Sequence, residues 1–162
     1  MASSINSGCV FNVIAIDPGI KNTGIAYQSA EGVFGYRTVV TLTAQTVAER
    51  IQKILGAVDQ IADPAVWKTV IIEDFVGHLG KDTVYLIGAF LGFFTGATSI
   101  IKVHPKKWVK EFFGTKKDYK KAAAKWCRKN RLTVSSQHEA DALCLLAWGT
   151  KNKNPLGVPI EN

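Results

Sequence analysis

Short apolar runs alternate with helical stripes along this chain, and their order sets the fold class. Val10 to Asp17 is mostly apolar and ends on an acid, Pro18-Gly19 turns the chain, and Thr23 to Ser29 resumes as strand. Glu31-Gly32 makes a second turn before a third strand from Val33 to Val40, so the three form an antiparallel meander. Thr43 to Ile61 has helical spacing, with Val47, Ile51, Ile54, Leu55 and Val58 on one stripe and Thr43 or Thr46 as its cap. Asp63-Pro64 breaks that helix, and Trp67 to Ile72 is a fourth strand that closes on Glu73. Its return after a helical crossover predicts a parallel place in the same sheet.

A second helix runs from Asp82 to about Ala97, with Gly88, Gly92 and Gly96 recurring on one face. Each glycine costs a helix about 1 kcal/mol relative to alanine, so close backbone contact is expected to compensate. The contact is either the protein's own sheet or a dimer interface, and the residues alone do not choose. Ser99 to Val103 is a fifth strand, and His104-Pro105 opens a short helix through Phe113. Thr115 caps a lysine-rich helix to about Asn130, with Ala122, Ala123, Trp126 and Cys127 inward. Ser136 with Glu139 is a capping-box pattern opening the last helix, which turns Ala140, Leu143, Cys144 and Ala147 to the core and ends near Gly149. The whole is expected to be α/β, a mixed sheet with helices on its faces.

Composition fits one domain over residues 10–150, with a flexible N-terminus at 1–9 and a C-terminal tail at 151–162. The most apolar segment, Val84 to Ile101, is interrupted by glycines and hydroxyl residues and reads as buried helix plus strand, so no membrane partner is expected. The first eight residues carry neither charge nor an apolar block and do not resemble a secretory signal. Three cysteines, at 9, 127 and 144, lack zinc or redox spacing and suggest thiols in a reducing compartment.

Charge changes the picture more. The chain carries +7, but Lys102 to Arg131 alone holds twelve Lys or Arg against two acids, an excess of +10, leaving −3 elsewhere. A solvated helix face kept for solubility is the bland reading, though mixed signs would serve that better. Clustered lysines suit a phosphate backbone, so Lys106, Lys107, Lys110, Lys116, Lys117 and Lys120 are nucleic-acid-binding candidates, with no choice made between DNA and RNA.

Against this basic background, Asp17 and Glu73 close apolar runs, and His138 and Asp141 share one face of the last helix. Unpaired carboxylates beside apolar sequence are costly, and a hard divalent cation offsets that cost. These four are therefore the candidate metal-binding and catalytic residues, for Mg²⁺ or Mn²⁺, with Asp74 an alternative to Glu73. Asp17 before Pro-Gly also suits a plain turn acid, and His138 an ordinary exposed first-turn residue. His78 and His104 form no HxxxH or HExxH arrangement, and His104 reads mainly as a loop or strand-end residue. No Ser-His-acid order, CxxC pair, phosphate loop or dinucleotide-binding glycine pattern is present, so no small-molecule cofactor is expected.

Ile16-Asp17-Pro18-Gly19-Ile20-Lys21-Asn22-Thr23-Gly24 resembles the opening strand-turn-strand of RuvC-type Holliday junction resolvases. The resemblance continues through Ile71-Ile72-Glu73, the glycine-bearing helix, Val109-Lys110 and His138-Glu139-Ala140-Asp141-Ala142-Leu143, from about residue 10 to 150. It implies an RNase H-like fold with a five-stranded sheet in the order 3-2-1-4-5. It also implies a homodimer that nicks opposed strands of a four-way DNA junction symmetrically. Asp17, Glu73 and Asp141 match the family's metal-binding carboxylates, and His138 a position held by histidine or aspartate. About two ions per site are implied, with 5′-phosphate and 3′-hydroxyl products. Gly88, Gly92 and Gly96 fall on the dimer-forming helix. Lys110 and Lys117 match lysines that grip the scissile backbone, with Lys116 and Lys120 in reserve. Phe75 falls near the aromatic that wedges into the junction, displaced by its spacing from Glu73. The dense lysines and the flanks of the last helix depart from cellular bacterial members and point to a phage, viral or organellar branch. The protein would act in a cytoplasmic, nucleoid, organellar or viral replication compartment. The alternatives are another RNase H-like nuclease, acting on RNA-DNA hybrids or branched DNA, and a non-catalytic nucleic-acid-binding module.

Overall fold

The computed structural model describes residues 11–74, 80–114 and 117–151. Five strands, β1 (Phe11–Asp17), β2 (Asn22–Ser29), β3 (Phe34–Val40), β4 (Thr69–Glu73) and β5 (Ser99–Val103), form one sheet in the order β3-β2-β1-β4-β5. The first three are antiparallel neighbours, and β4 and β5 join parallel to β1, as the crossover connection predicted. The helices are α1 (Val47–Asp59), α2 (Lys81–Phe93), α3 (Pro105–Phe113), α4 (Tyr119–Lys129) and α5 (Gln137–Thr150).

Alternation along the central strands sorts the core into two layers. Ile14, Ile16, Val70 and Ile72 face α1 and α2, where Ile54, Val58, Leu86 and Phe90 complete the packing. Ala15, Ala26 and Ile71 face the other way, against α5 with Trp108, Ala123 and Cys127 beside it. The small side chains on this second face let α5 settle close to the sheet, so that Asp141 and every residue from Ala140 to Ala147 is buried. Gly24 on β2 shows how close. A Cβ there would stand 2.0 Å from the backbone oxygen of His138, which no side chain permits. Cys127 and Cys144 are buried free thiols in this layer, and Cys9 lies outside the described residues.

Element ends differ from the sequence reading in instructive ways. Thr46 caps α1 with a full capping box to Glu49, so the helix begins four residues past Thr43. α2 stops at Phe93, before Gly96, where a Cβ would meet the Ala65 backbone at 3.2 Å. α4 starts at Tyr119, preceded by Asp118 at a left-handed φ of 53°. Thr115 lies outside the described residues. Ser136 caps α5 as expected, but Glu139 reaches one residue further back, to the Ser135 amide and hydroxyl. No helix among the described residues is long and apolar enough to cross a membrane.

Candidate active site

The parallel ladder places Ile16 beside Ile72, so Asp17 and Glu73 emerge one residue later at the same edge of the sheet. The first turn of α5 comes down over that edge through the gap left by Gly24, the residue paired with Asp17. His138 Nδ1 lies 2.7 Å from Asp17 Oδ2, joining residues 121 positions apart. Asp141, one turn further on, is buried and its Oδ1 accepts from Gln137 Nε2 at 2.7 Å. Thr38 on β3 bonds the Ser136 hydroxyl, and Tyr36 donates to the Thr133 carbonyl at 2.7 Å, so α5 is tied down at its entry.

Burial and crowding govern the chemistry. Burial, followed by the charge of Asp17, pushes Glu73 up to about 8, although a bond from Trp108 Nε1 to Oε2 at 2.7 Å pulls the other way. Burial and Asp17 likewise raise Asp141 to about 6, with Gln137 and the Lys120 charge opposing. The Asp17 hydrogen bond holds His138 above the usual imidazole range. A buried acidic group of this kind binds protons for want of positive charge. Its donors, three carboxylates and one imidazole, fit a hard divalent cation such as Mg²⁺ or Mn²⁺. Among the described residues, no three His, Cys, Asp or Glu side chains converge closely enough to ligate one ion.

Asp74 faces away from this group and pairs with Lys102 at 3.4 Å, which leaves Glu73 as the β4 acid at the site. His104 caps α3, its Nδ1 accepting from the Lys106 amide at 3.1 Å. Lys106, Lys107, Lys110, Lys117 and Lys120 are exposed, and Lys120 is the one whose charge reaches both Asp141 and His138. Lys116, Phe75 and His78 lie outside the described residues.

Two supporting residues escaped the sequence reading. Trp108, fully buried, has the spacing of an ordinary core aromatic, and only its indole N–H reveals a second task. Gln137 stands four residues before Asp141 on the same helix face, a spacing that was available as a signal. Replacing Trp108 with Phe keeps the ring bulk and deletes the donor. A roughly tenfold loss of Mn²⁺ affinity is expected, because outer partners orient metal-binding carboxylates. Calorimetric titration checks it, and unchanged affinity would make Trp108 core packing alone.

No protein-family model matches the chain, and no curated protein matches it in sequence. Solved structures do. Thermus thermophilus RuvC superposes with a TM-score of 0.67 at 18% identity, covering 86% of this chain and 95% of that one. The yeast mitochondrial Holliday junction resolvase Ydc2 gives 0.62 at 10% identity, over 89% of this chain and 81% of its own. The fowlpox virus Holliday junction resolvase gives 0.51 at 14% identity, over 89% and 99%. The fold is therefore RNase H-like, as in Thermus RuvC and in the yeast mitochondrial and fowlpox virus Holliday junction resolvases. The strand order implied by the resemblance is the observed one.

Proposed function

We propose that this protein is a metal-dependent endonuclease that resolves four-way DNA junctions by paired nicks, working as a homodimer. The observation that carries the proposal is the gathering of Asp17, Glu73, His138 and Asp141 from β1, β4 and α5 at one edge of the sheet, in a chain whose lysines cluster elsewhere. Thermus RuvC and the fowlpox resolvase, which share the fold, have each been solved with Holliday junction DNA.

In this reading the exposed lysines of α3 and α4 hold the DNA backbone, and the acidic group receives the scissile phosphate. Asp17, Glu73, Asp141 and His138 would hold the divalent ions, two by the family's pattern, which supply positive charge where the phosphorane develops. Water oxygen replaces the 3′ oxygen at phosphorus, leaving a 5′-phosphate and a 3′-hydroxyl. His138 is fixed through Nδ1 by Asp17, which leaves its other ring nitrogen to hold an ion or to orient the attacking water.

The dimer part of the proposal rests on α2. Val84, Tyr85, Gly88 and Gly92 form an exposed stripe at helical spacing. Among the described residues a Cβ at Gly88 or Gly92 would meet nothing within 4 Å, so packing against them gives no reason for either glycine. Gly96, by contrast, packs on Ala65 beyond the helix end. Gly88→Leu with Gly92→Leu is expected to convert dimer to monomer in sedimentation without lowering the melting temperature of the monomer, since helix propensity rises. A wild-type monomer would remove the dimer from the proposal.

The experiment that tests the function offers the protein a mobile four-way junction, linear duplex and an RNA-DNA hybrid in Mg²⁺ or Mn²⁺. Paired symmetric nicks confined to the junction are expected. Hybrid cleavage with junctions merely bound would move the activity to a ribonuclease.

A further inference from the structure

Tyr119 opens α4, directly after the lysine-rich segment, and its ring is half-buried. The ring meets that of Trp108 edge-on, with centroids 6.4 Å apart and planes at 84°. Trp108 is itself fully buried and bonded to Glu73, so one rigid indole holds both the carboxylate and the phenol. Among the described residues the Tyr119 hydroxyl has no hydrogen-bond partner, and it is not among the buried unsatisfied atoms. A phenol with a fixed ring and an open hydroxyl is an ordered donor with nothing yet to donate to.

Its surroundings say which way that donor works. A tyrosine phenol, with an ordinary pKa of about 10, is protonated near neutral pH, and here burial, then the charges of Asp141, Glu73 and Asp17, push it further up. A group that keeps its proton beside three acids is no base and no nucleophile. It is suited to donate to an incoming oxyanion, and at this edge the incoming oxyanion is phosphate. The lysines offer mobile point charges there, whereas the phenol offers a single directed bond on a two-torsion side chain.

We infer that Tyr119 is a catalytic residue that donates a hydrogen bond from its hydroxyl to a non-bridging oxygen of the scissile phosphodiester. The inference rests on the nuclease reading above and adds a residue to it. A preorganised neutral donor of this kind stabilises charge as it develops and needs no rearrangement at the moment of reaction.

Tyr119→Phe removes the hydroxyl and keeps the ring against Trp108. Single-turnover cleavage is expected to slow by about 100- to 1,000-fold, the scale for loss of one such donor. Junction affinity, its salt dependence and the melting temperature should stay at wild-type values. A second readout does not need cleavage. The Asp17→Asn protein labelled with 3-fluorotyrosine has four tyrosine resonances, and that of Tyr119, assigned by its absence from the Phe variant, should shift when junction DNA is added in Mg²⁺. Wild-type cleavage by Tyr119→Phe, or a resonance that does not move, overturns the role of Tyr119 and leaves the nuclease reading standing. Wild-type protein that cuts RNA-DNA hybrid but no junction overturns the junction substrate instead, and Tyr119 is then judged by the same two readouts on the hybrid. Wild-type protein that cuts neither overturns both.

Discussion

Replacing Asp17 with Asn is expected to reduce junction cleavage by at least about 10³-fold while leaving junction binding within about threefold, as removal of a transition-state group without loss of uniform binding requires. Asp17 is the hub of the acidic group. It bonds His138, and its charge is among the leading causes of the raised values of both Glu73 and Asp141. Asparagine keeps the shape and an oxygen for the His138 ring, so α5 has no reason to move. The exposed lysines to which the proposed function assigns backbone affinity are untouched. Cleavage on labelled junctions and gel-shift binding on the same molecules give the two numbers. Parallel loss of both would make Asp17 a structural residue of the β1 turn.

The second large effect concerns stability. Glu73, raised from 4.5 to about 8, and Asp141, raised from 3.8 to about 6, bind protons more tightly in the folded chain than in the unfolded one. Such groups favour the native state fully below their unfolded values, and the contribution is lost as pH rises through the folded ones. Metal-free protein should therefore lose stability between about pH 4 and pH 8, first through Asp141 and then through Glu73. His138, held above its usual range by Asp17, acts in the same direction. Glu73→Gln keeps an oxygen to accept from Trp108 and removes the charge. At pH 8 without metal it should raise the melting temperature by several degrees, on the order of 1–3 kcal/mol for a buried like-charged group. It should also abolish the stabilisation that Mn²⁺ gives the wild type. Scanning calorimetry across pH, with and without Mn²⁺, reads both. A Glu73→Gln protein less stable than wild type at pH 8 would mean that ionised Glu73 is held by partners and not crowded by neighbours.

Much of this arrangement was legible because it follows short-range rules. Acids ending apolar runs mark strand ends, and a crossover predicts a parallel neighbour, so Asp17 and Glu73 at one sheet edge followed from the residues. His138 and Asp141 at i and i+3 had to share a helix face. The choice between Glu73 and Asp74 was not legible, because it depends on Lys102 standing on the adjacent strand, a matter of register. The task of Trp108 was hidden for a similar reason: burial explains a tryptophan without reference to its N–H. Helix ends were displaced where a cap competed with a nearby alternative, as Thr46 did with Thr43. The glycine row of α2 looked uniform in sequence, yet Gly96 turned out to serve a local backbone contact and Gly88 and Gly92 none.

The acidic group is divided between the two ends of the chain, with Asp17 on the first strand and Asp141 on the last helix. During synthesis the lysines of α3 and α4 therefore leave the ribosome before α5 does. A nascent or truncated chain ending before Ser136 carries its lysine-rich surface but neither Asp141 nor the helix that fills one face of the sheet. Under the proposed function, loss of the last helix by proteolysis or local unfolding would remove Asp141 and one layer of the core together, so cutting would require the completed fold.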